Sequence, residues 1–345
     1  MTGDTPRITA ITCVKDEGAF LIEWLAHHRG VGFTDFLIFS NDCSDGTEAM
    51  LDRLQELGEI THIRNPGPHE GGVQFTAFKQ ADKHDLVKQS DWLMTLDVDE
   101  FVNIHVGDHT LNALFAALPE ADAITLTWRM FGNAGLRDFT DAPITEQFTR
   151  AAPETMPWPW RAFMFKTLYR NNGAYKKLGV HRPRSPSEAA DTARWFDGEG
   201  RALEPEYRRQ KIFSNYLRPN YGLVQLNHYA LGAMESFIVK RGRGQPTHRD
   251  HLLGLDYWTE RNWCDVEDSS IRASDALRDA HLTRLHSDPE LARLHEGAVA
   301  WRKARFAELM EEEANRALFG RLLIAPPARV IATEDAKHLY QYLRR

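Results

Sequence analysis

Short β-branched runs alternate with amphipathic stretches through the first half of the chain, and that alternation predicts a fold class. Residues Ile8 to Val14 read as a strand. After Lys15-Asp16-Glu17-Gly18, apolar Phe20, Leu21, Trp24 and Leu25 recur at helical spacing as far as His27 and His28. Gly30 to Gly32 closes that helix, Asp35 to Phe39 returns as a strand, and the polar loop Ser40 to Thr47 leads into an amphipathic helix from Glu48 to Leu57. Thr61 to Ile63 is a third strand. One helix is expected over Gln74 to Gln89, feeding the apolar run Trp92 to Leu96. A helix from Thr110 to Leu118 and strands at Ala123 to Trp128, Arg161 to Arg170 and Leu223 to Leu226 follow. Strands and helices in this order predict an α/β fold, a Rossmann-like and mostly parallel sheet flanked by helices. Between them, residues 129–156 are rich in Gly, Asp and Thr with weak periodicity, as expected of a long active-site loop. From Asp275 onward the chain is helical and charged, broken by Pro326-Pro327. The expected division is a nucleotide-binding and catalytic domain over 1–250 and a helical region over 251–345.

Composition narrows the function classes. With 345 residues, 42% of them hydrophobic, the chain builds a large core without staples. Cys13, Cys43 and Cys264 are odd in number and far apart, which argues against disulfides and a CxxC metal site and fits a reducing compartment. The net charge of −7 with dispersed basic residues argues against a nucleic-acid groove. No apolar run approaches the ~20 residues of a membrane span, and Met1 to Arg7 is polar. The expectation is a cytoplasmic protein with at most peripheral membrane contact.

The candidate chemistry gathers where strands end. Trp92 to Leu96 runs into Asp97-Val98-Asp99-Glu100, and on an extended chain alternation would send Asp97 and Asp99 to one side, where they could share a divalent cation or divide a cation and a ribose. Ligands of parallel sheets sit beyond the carboxyl ends of the strands, so Lys15, Asp16, Asp42, Asp97 and Asp99 are expected to converge. Asp42 is placed to accept an N–H from a nucleobase edge. His228, at the end of a late strand, can complete a cation's coordination. Lys240-Arg241-Gly242-Arg243-Gly244 can clamp a diphosphate, or simply end a helix with favourable charge. Trp158, Trp160 and Phe163 form either an acceptor-stacking platform or buried core.

Taken together, the stretches Val14 to His28, Asn41 to Thr47, Asp97 to Phe101, His181-Arg182-Pro183 and Asn227-His228-Tyr229 resemble a family 2-type glycosyltransferase of the GT-A fold. The likeness is close to the bacterial group that also resembles family 92, over about residues 8–245. That resemblance implies a nucleotide-sugar donor, a UDP-sugar first among them, and a glycan or lipid-linked acceptor. It implies Mn2+ or Mg2+ held by the DxD residues Asp97 and Asp99 with His228 as third ligand. Asp42 would lie near the base and Lys240 and Arg243 near the diphosphate, with transfer by inversion. Asp99 and His181 are the catalytic candidates, His181 as either base or ligand. The later Glu-Asp pair that many family 2 enzymes use as base is missing before Arg182, which leaves Asp138, Asp141 and Glu146 as further candidates. Two rivals remain: a GT-A-like domain that binds nucleotide without transfer, and a haloacid-dehalogenase-type phosphotransferase, whose nucleophile motif Leu96 to Asp99 also resembles.

Overall fold

The computed structural model describes residues 6–69, 71–158, 160–243 and 253–342, with only the backbone of Trp160. The first units form as patterned: β1 (Ile8–Val14), α1 (Gly18–Gly30), β2 (Asp35–Ser40), α2 (Thr47–Glu56) and β3 (Thr61–Arg64). β1 pairs parallel with β2, and β2 with β3. Their near-continuous burial is what a parallel sheet covered on both faces requires. One carboxylate ties the two helix starts together: Asp45 accepts the N–H of Gly18 and the N–H of Thr47, each at 2.9 Å, so an anion sits at two positive helix ends.

The expected single helix over 74–89 is two helices, α3 (Val73–Ala81) and α4 (Asp85–Lys88). His84 breaks it by taking extended backbone and capping α4, its ring accepting the Leu86 N–H at 3.2 Å.

A larger correction concerns the acidic motif. β4 (Trp92–Thr95) stops before it, Leu96 to Asp99 turn, and the chain re-enters the sheet as β5 (Glu100–Ile104). Buried hydrogen bonds hold the turn. The Glu100 N–H donates to the Asp97 carbonyl at 3.0 Å, the Asp97 N–H donates to Glu100 Oε2 at 2.9 Å, and the Trp24 indole donates to both flanking carbonyls at 3.1 Å. Strand alternation therefore does not set where Asp97 and Asp99 point.

After α5 (Leu111–Ala117) comes β6 (Ala123–Met130), buried along its whole length. The expected loop over 129–156 holds a short helix, α6 (Ile144–Gln147), and a two-residue strand, β7 (Arg150–Ala151). β8 (Phe165–Arg170) follows, then the paired strands β9 (Tyr175–Lys177) and β10 (Arg184–Pro186), β11 (Trp195–Phe196) beside β6, and β12 (Val224–His228). The sheet order is β3-β2-β1-β4-β8-β6-β12-β5. β8 runs antiparallel to both β4 and β6, so β6 and β12 point the same way as β1, β2 and β4, and their carboxyl ends share one edge. β12 pairs antiparallel with β5 in a register that sets His228 opposite Glu100.

The remainder is α7 (Met234–Gly242), α8 (Leu255–Arg261), β13 (Val266–Glu267) paired with β7, α9 (Asp275–His286), α10 (Pro289–Leu309), α11 (Glu313–Ile324) and α12 (Thr333–Tyr340). α9 lies along α1, so closely at Gly30 that a Cβ there would meet the Leu277 backbone at 2.8 Å. α10 packs on α1, α2 and α7, and Leu285, Leu291 and Ala298 join the core of the sheet. The α/β class, the large and mostly parallel sheet and the helical C-terminal region are as expected. Among the described residues no helix is long and apolar enough to cross a membrane.

Candidate functional site

The turn between β4 and β5 lies at the carboxyl edge, and β12 ends beside it. The Asp99 carbonyl accepts the Tyr229 N–H at 2.8 Å, which locks the turn to the strand end. Side chains follow: Asp99 Oδ1 lies 3.6 Å from His228 Nε2, and Asp99 Oδ2 accepts from Lys240 Nζ at 2.7 Å. Lys240 also donates to the Ala230 carbonyl at 2.7 Å. Burial would push the Asp99 carboxyl up, but Lys240 and His228 outweigh it and hold the group well below the ordinary range. Burial lowers the His228 pKa against the pull of Asp99, which favours the neutral form of the imidazole. Its ring lies 4.4 Å from that of Trp128, and its Nδ1 is buried without a hydrogen-bond partner.

Asp97 does not share this cluster. Its Oδ2 accepts from Lys166 Nζ at 2.9 Å and its Oδ1 from Gln74 Nε2 at 3.1 Å. Lys166 is 1% exposed and also lies 3.2 Å from Glu100 Oε2, the latter side chain being fully buried. Burial pushes the Glu100 carboxyl up to about 8 against the pull of Lys166. Its hydrogen-bond partners are donors: the Asp97 N–H, the Trp128 indole at 2.7 Å and the Lys166 ammonium, so the pocket is built for a carboxylate. Lys166, Glu100 and Trp128 were missed by sequence reasoning. A lysine on an alternating strand reads as solvent-facing, and nothing local marks this one as buried.

His181 sits nearby, its ring 5.3 Å from Trp128. Its Nδ1 faces the Phe165 carbonyl at 3.0 Å, and since a carbonyl only accepts, Nδ1 carries the proton and Nε2 the lone pair. Burial, with help from Lys166, lowers its pKa to about 4. The three candidate carboxylates of the 131–156 segment are engaged, Asp138 with Arg137 at 2.8 Å, Asp141 with His295 at 3.0 Å, and Glu146 with Arg278 at 2.6 Å, while its fourth carboxylate, Glu154, is exposed.

At the ends of β1 and β2, Asp16 and Asp42 both take left-handed backbone, φ 52° and 49°, which is costly outside glycine and tends to mark functional loops. Asp16 accepts the Ser44 N–H at 2.6 Å, and exposed Asp42 accepts the Gly67 N–H at 3.0 Å, so each carboxylate also shapes a neighbouring loop. The Lys15 side chain is exposed. Arg243 donates to the Lys15 carbonyl at 2.6 Å and pairs with Glu17 at 2.5 Å. Both cations expected at a diphosphate are thus committed to protein partners, Lys240 to Asp99 and Arg243 to Glu17. Gly244 of the same loop lies outside the described residues. Of the expected aromatic platform, Phe163 is core, the Trp158 ring lies tilted 5.0 Å from that of Tyr340, and the Trp160 side chain lies outside the described residues.

Among the described residues no three His, Cys, Asp or Glu side chains gather as a ready metal cluster. A pair does. Two donors on one ion with bonds of about 2.1 Å can lie up to ~4.2 Å apart, and the 3.6 Å between Asp99 Oδ1 and His228 Nε2 falls inside that limit. Asp99 and His228 therefore fit a divalent cation whose remaining positions a phosphate and water would fill, while Asp97 is turned toward Lys166.

A model of glycosyltransferase family 92 matches residues 10–188. A family 92 protein of Oryza sativa subsp. japonica is 24% identical over 151 residues, 41% of this chain and 25% of the relative, and one of Ricinus communis is 24% identical over 157 residues, 41% and 26%. The matched stretch is thus about a quarter of the length of those relatives. Among solved structures, S. aureus TarS 1-349 in complex with UDP shows 14% identity, covering 90% of this chain and 83% of that one at a TM-score of 0.34. Glucosyl-3-phosphoglycerate synthase from Mycobacterium tuberculosis, in complex with Mn2+, UDP and glucosyl-3-phosphoglycerate, shows 14% identity over 36% of this chain and 44% of that one at a TM-score of 0.25.

Proposed function

The chain belongs to glycosyltransferase family 92, and from that premise we propose that it moves a sugar from a nucleotide-sugar donor, a UDP-sugar by preference, to a hydroxyl of a glycan or lipid-linked acceptor. The observation that carries the reading is the meeting of Asp99, His228 and Lys240 at the carboxyl edge. Breaking the sugar–phosphate bond builds negative charge on the departing diphosphate, and positive groups at that place stabilise the transition state more than the ground state. A divalent cation, Mn2+ or Mg2+, held by Asp99 and His228 would supply most of that charge.

The protein's own groups do the rest. Lys240 bridges Asp99 and a main-chain carbonyl, so a phosphate arriving at Asp99 meets its ammonium already in place. Arg243 braces the Lys15–Glu17 loop, which shapes the donor side of the edge together with the loops anchored by Asp16 and Asp42. Lys166 offsets part of the negative charge of Asp97 and Glu100, and so lessens the turn's repulsion of the diphosphate. With the three loop carboxylates engaged in ion pairs, His181 is the proton acceptor for an inverting attack. Its lowered pKa makes it a weak base, which takes the proton late, once the acceptor oxygen has begun to bond the anomeric carbon. The Lys240–Asp99 pair also favours a second reading, nucleotide binding without transfer.

The experiment is UDP-sugar hydrolysis and transfer with and without Mn2+, on the wild type and Asp99→Asn, with thermal shift by UDP read alongside. Metal-dependent turnover that falls at least ~100-fold in a folded Asp99→Asn protein supports transfer. UDP binding with no turnover of any UDP-sugar selects the second reading, and unchanged turnover in the variant removes the mechanism.

A further inference from the structure

A second cavity, of about 770 Å³, opens on the far side of the β6–β12–β5 region and contains none of the residues of the transfer edge. Alternation separates the two places. Trp128 and His228 face the transfer edge, whereas Arg129 on β6 and Gln225 on β12 line the cavity. At its other end are His105, which follows β5, and Tyr221 with Gly222, which precede β12. His105 is five residues along from Glu100, roughly 17 Å at strand rise.

The floor of this cavity is a polar layer with unmet hydrogen-bonding capacity. Arg129 is 5% exposed, lies over the Tyr221 ring at 5.0 Å, and has a long ion pair of 3.5 Å from its Nε to Asp268. Its Nε and Nη1 have no hydrogen-bond acceptor, and Nε2 of His105 beside it has no partner either. Leaving buried donors unpaired is costly, ~1–3 kcal/mol or more for a charged group, and native proteins keep such vacancies mainly where a ligand or water fills them. Charge says what kind of ligand. Against Arg129 the lining sets Glu154, Glu199, Glu267 and Asp268. Glu199 is absorbed by the Tyr221 and Gly222 N–H groups and Asp268 by Ser270 and Gln225, but Glu154 and Glu267 stand exposed on the rim, Glu267 with a long 3.5 Å pair to Arg150. An anion would be repelled at the rim, and a cation at the floor would meet the donors of Arg129, whose one nearby carboxylate, Asp268, is already committed. A hydroxyl satisfies both, accepting from the guanidinium and donating to the carboxylates. The volume lies within the ~300–1,000 Å³ of small-molecule sites.

We propose that this cavity binds a neutral saccharide, a stretch of glycan held away from the transfer edge through Arg129 below and Glu154 and Glu267 above. The site is independent of the transfer chemistry, and its test contains no donor and no metal. The full chain is titrated calorimetrically with maltotriose, cellotriose, chitotriose and mannotriose at up to ~10 mM, where a site of Kd ~1 mM is nearly saturated. At least one is expected to bind, unaffected by saturating UDP. Arg129→Gln is expected to weaken that binding at least tenfold. Because a buried arginine can be needed for folding, Glu154→Ala and Glu267→Ala on the exposed rim repeat the test, each with a loss of threefold or more. Binding by none of the four, displacement by UDP, tighter binding of an oligouronate than of its neutral counterpart, or indifference to both rim substitutions would each overturn the proposal.

Discussion

Replacing Lys166 with methionine should expose how the acidic turn is held. The ammonium lies 2.9 Å from Asp97 and 3.2 Å from Glu100, and Glu100 is fully buried among donors, so the substitution leaves a carboxylate in the interior without its counter-charge. Removing one partner of such a pair costs ~3–5 kcal/mol. The protein's way out is to protonate Glu100. Starting from an ordinary value of 4.5, holding the group neutral costs about 4 kcal/mol at pH 7.5 and about 1.4 at pH 5.5, at 1.36 kcal/mol per pH unit. In the variant the folded-state pKa of Glu100 stands well above the unfolded one. That contribution is intact below the unfolded value and is lost as pH rises, a trend the wild type shares more weakly because Lys166 opposes it. The wild-type group is itself raised, to about 8, so the two proteins part above that value, and the stability gap should widen by roughly 1–2 kcal/mol on going from pH 7.5 to 9.5. Urea unfolding of both proteins at the two pH values measures it, and Lys166→Met with Glu100→Gln should show little of the pH dependence. A gap that stays constant across that range, or a Lys166→Met protein as stable as wild type at pH 7.5, would refute the account of a charged triad.

Other substitutions test other joints of the site. His228→Asn should weaken Mn2+ binding at least tenfold by calorimetry in a protein that circular dichroism shows to be folded; unchanged binding would remove His228 from the metal site. Asp45→Ala removes the anion shared by the starts of α1 and α2 and should cost ~2 kcal/mol in denaturant unfolding; a cost below ~0.5 would show that the helix ends do not need it. Glu23→Ala should cost ~2–4 kcal/mol, since Glu23 accepts the Ile144 N–H at 2.7 Å and the Thr145 N–H at 3.1 Å and both would be stranded. If UDP-sugar turnover also falls in that variant, the 139–148 segment is needed in position at the edge, because Phe139 and Ile144 line the cavity beside Asp99.

The parts of this molecule legible in its sequence are those where local pattern and burial agree. β1, α1, β2, α2 and β3 follow from apolar periodicity and turn residues, because helices covering both faces of a parallel sheet leave little room for exceptions. His84 broke an expected helix because its cap geometry competes with continuation, and periodicity does not register caps. The acidic motif misled for a different reason: Asp97 and Asp99 look like alternate strand residues, yet a buried indole from Trp24, 73 residues earlier, favours a turn. Lys166 was invisible because its burial depends on β4 and β6 flanking β8, which no window of sequence contains. His228 was legible as a strand-end imidazole, but its proximity to Asp99 rests on a strand register that only the three-dimensional pairing supplies.

That register has a temporal side. The acidic turn and its imidazole are 129 positions apart for Asp99 and His228, joined through the antiparallel ladder of β5 and β12. As the chain emerges from the ribosome, β1 to β4 can associate early. β5 must wait at the margin of the growing sheet, its hydrogen bonds unmet, until β12 has been made and fits between it and β6. Any fragment ending before β12 would carry the aspartates without the cluster, so the nascent protein acquires this constellation only after β12 has been made.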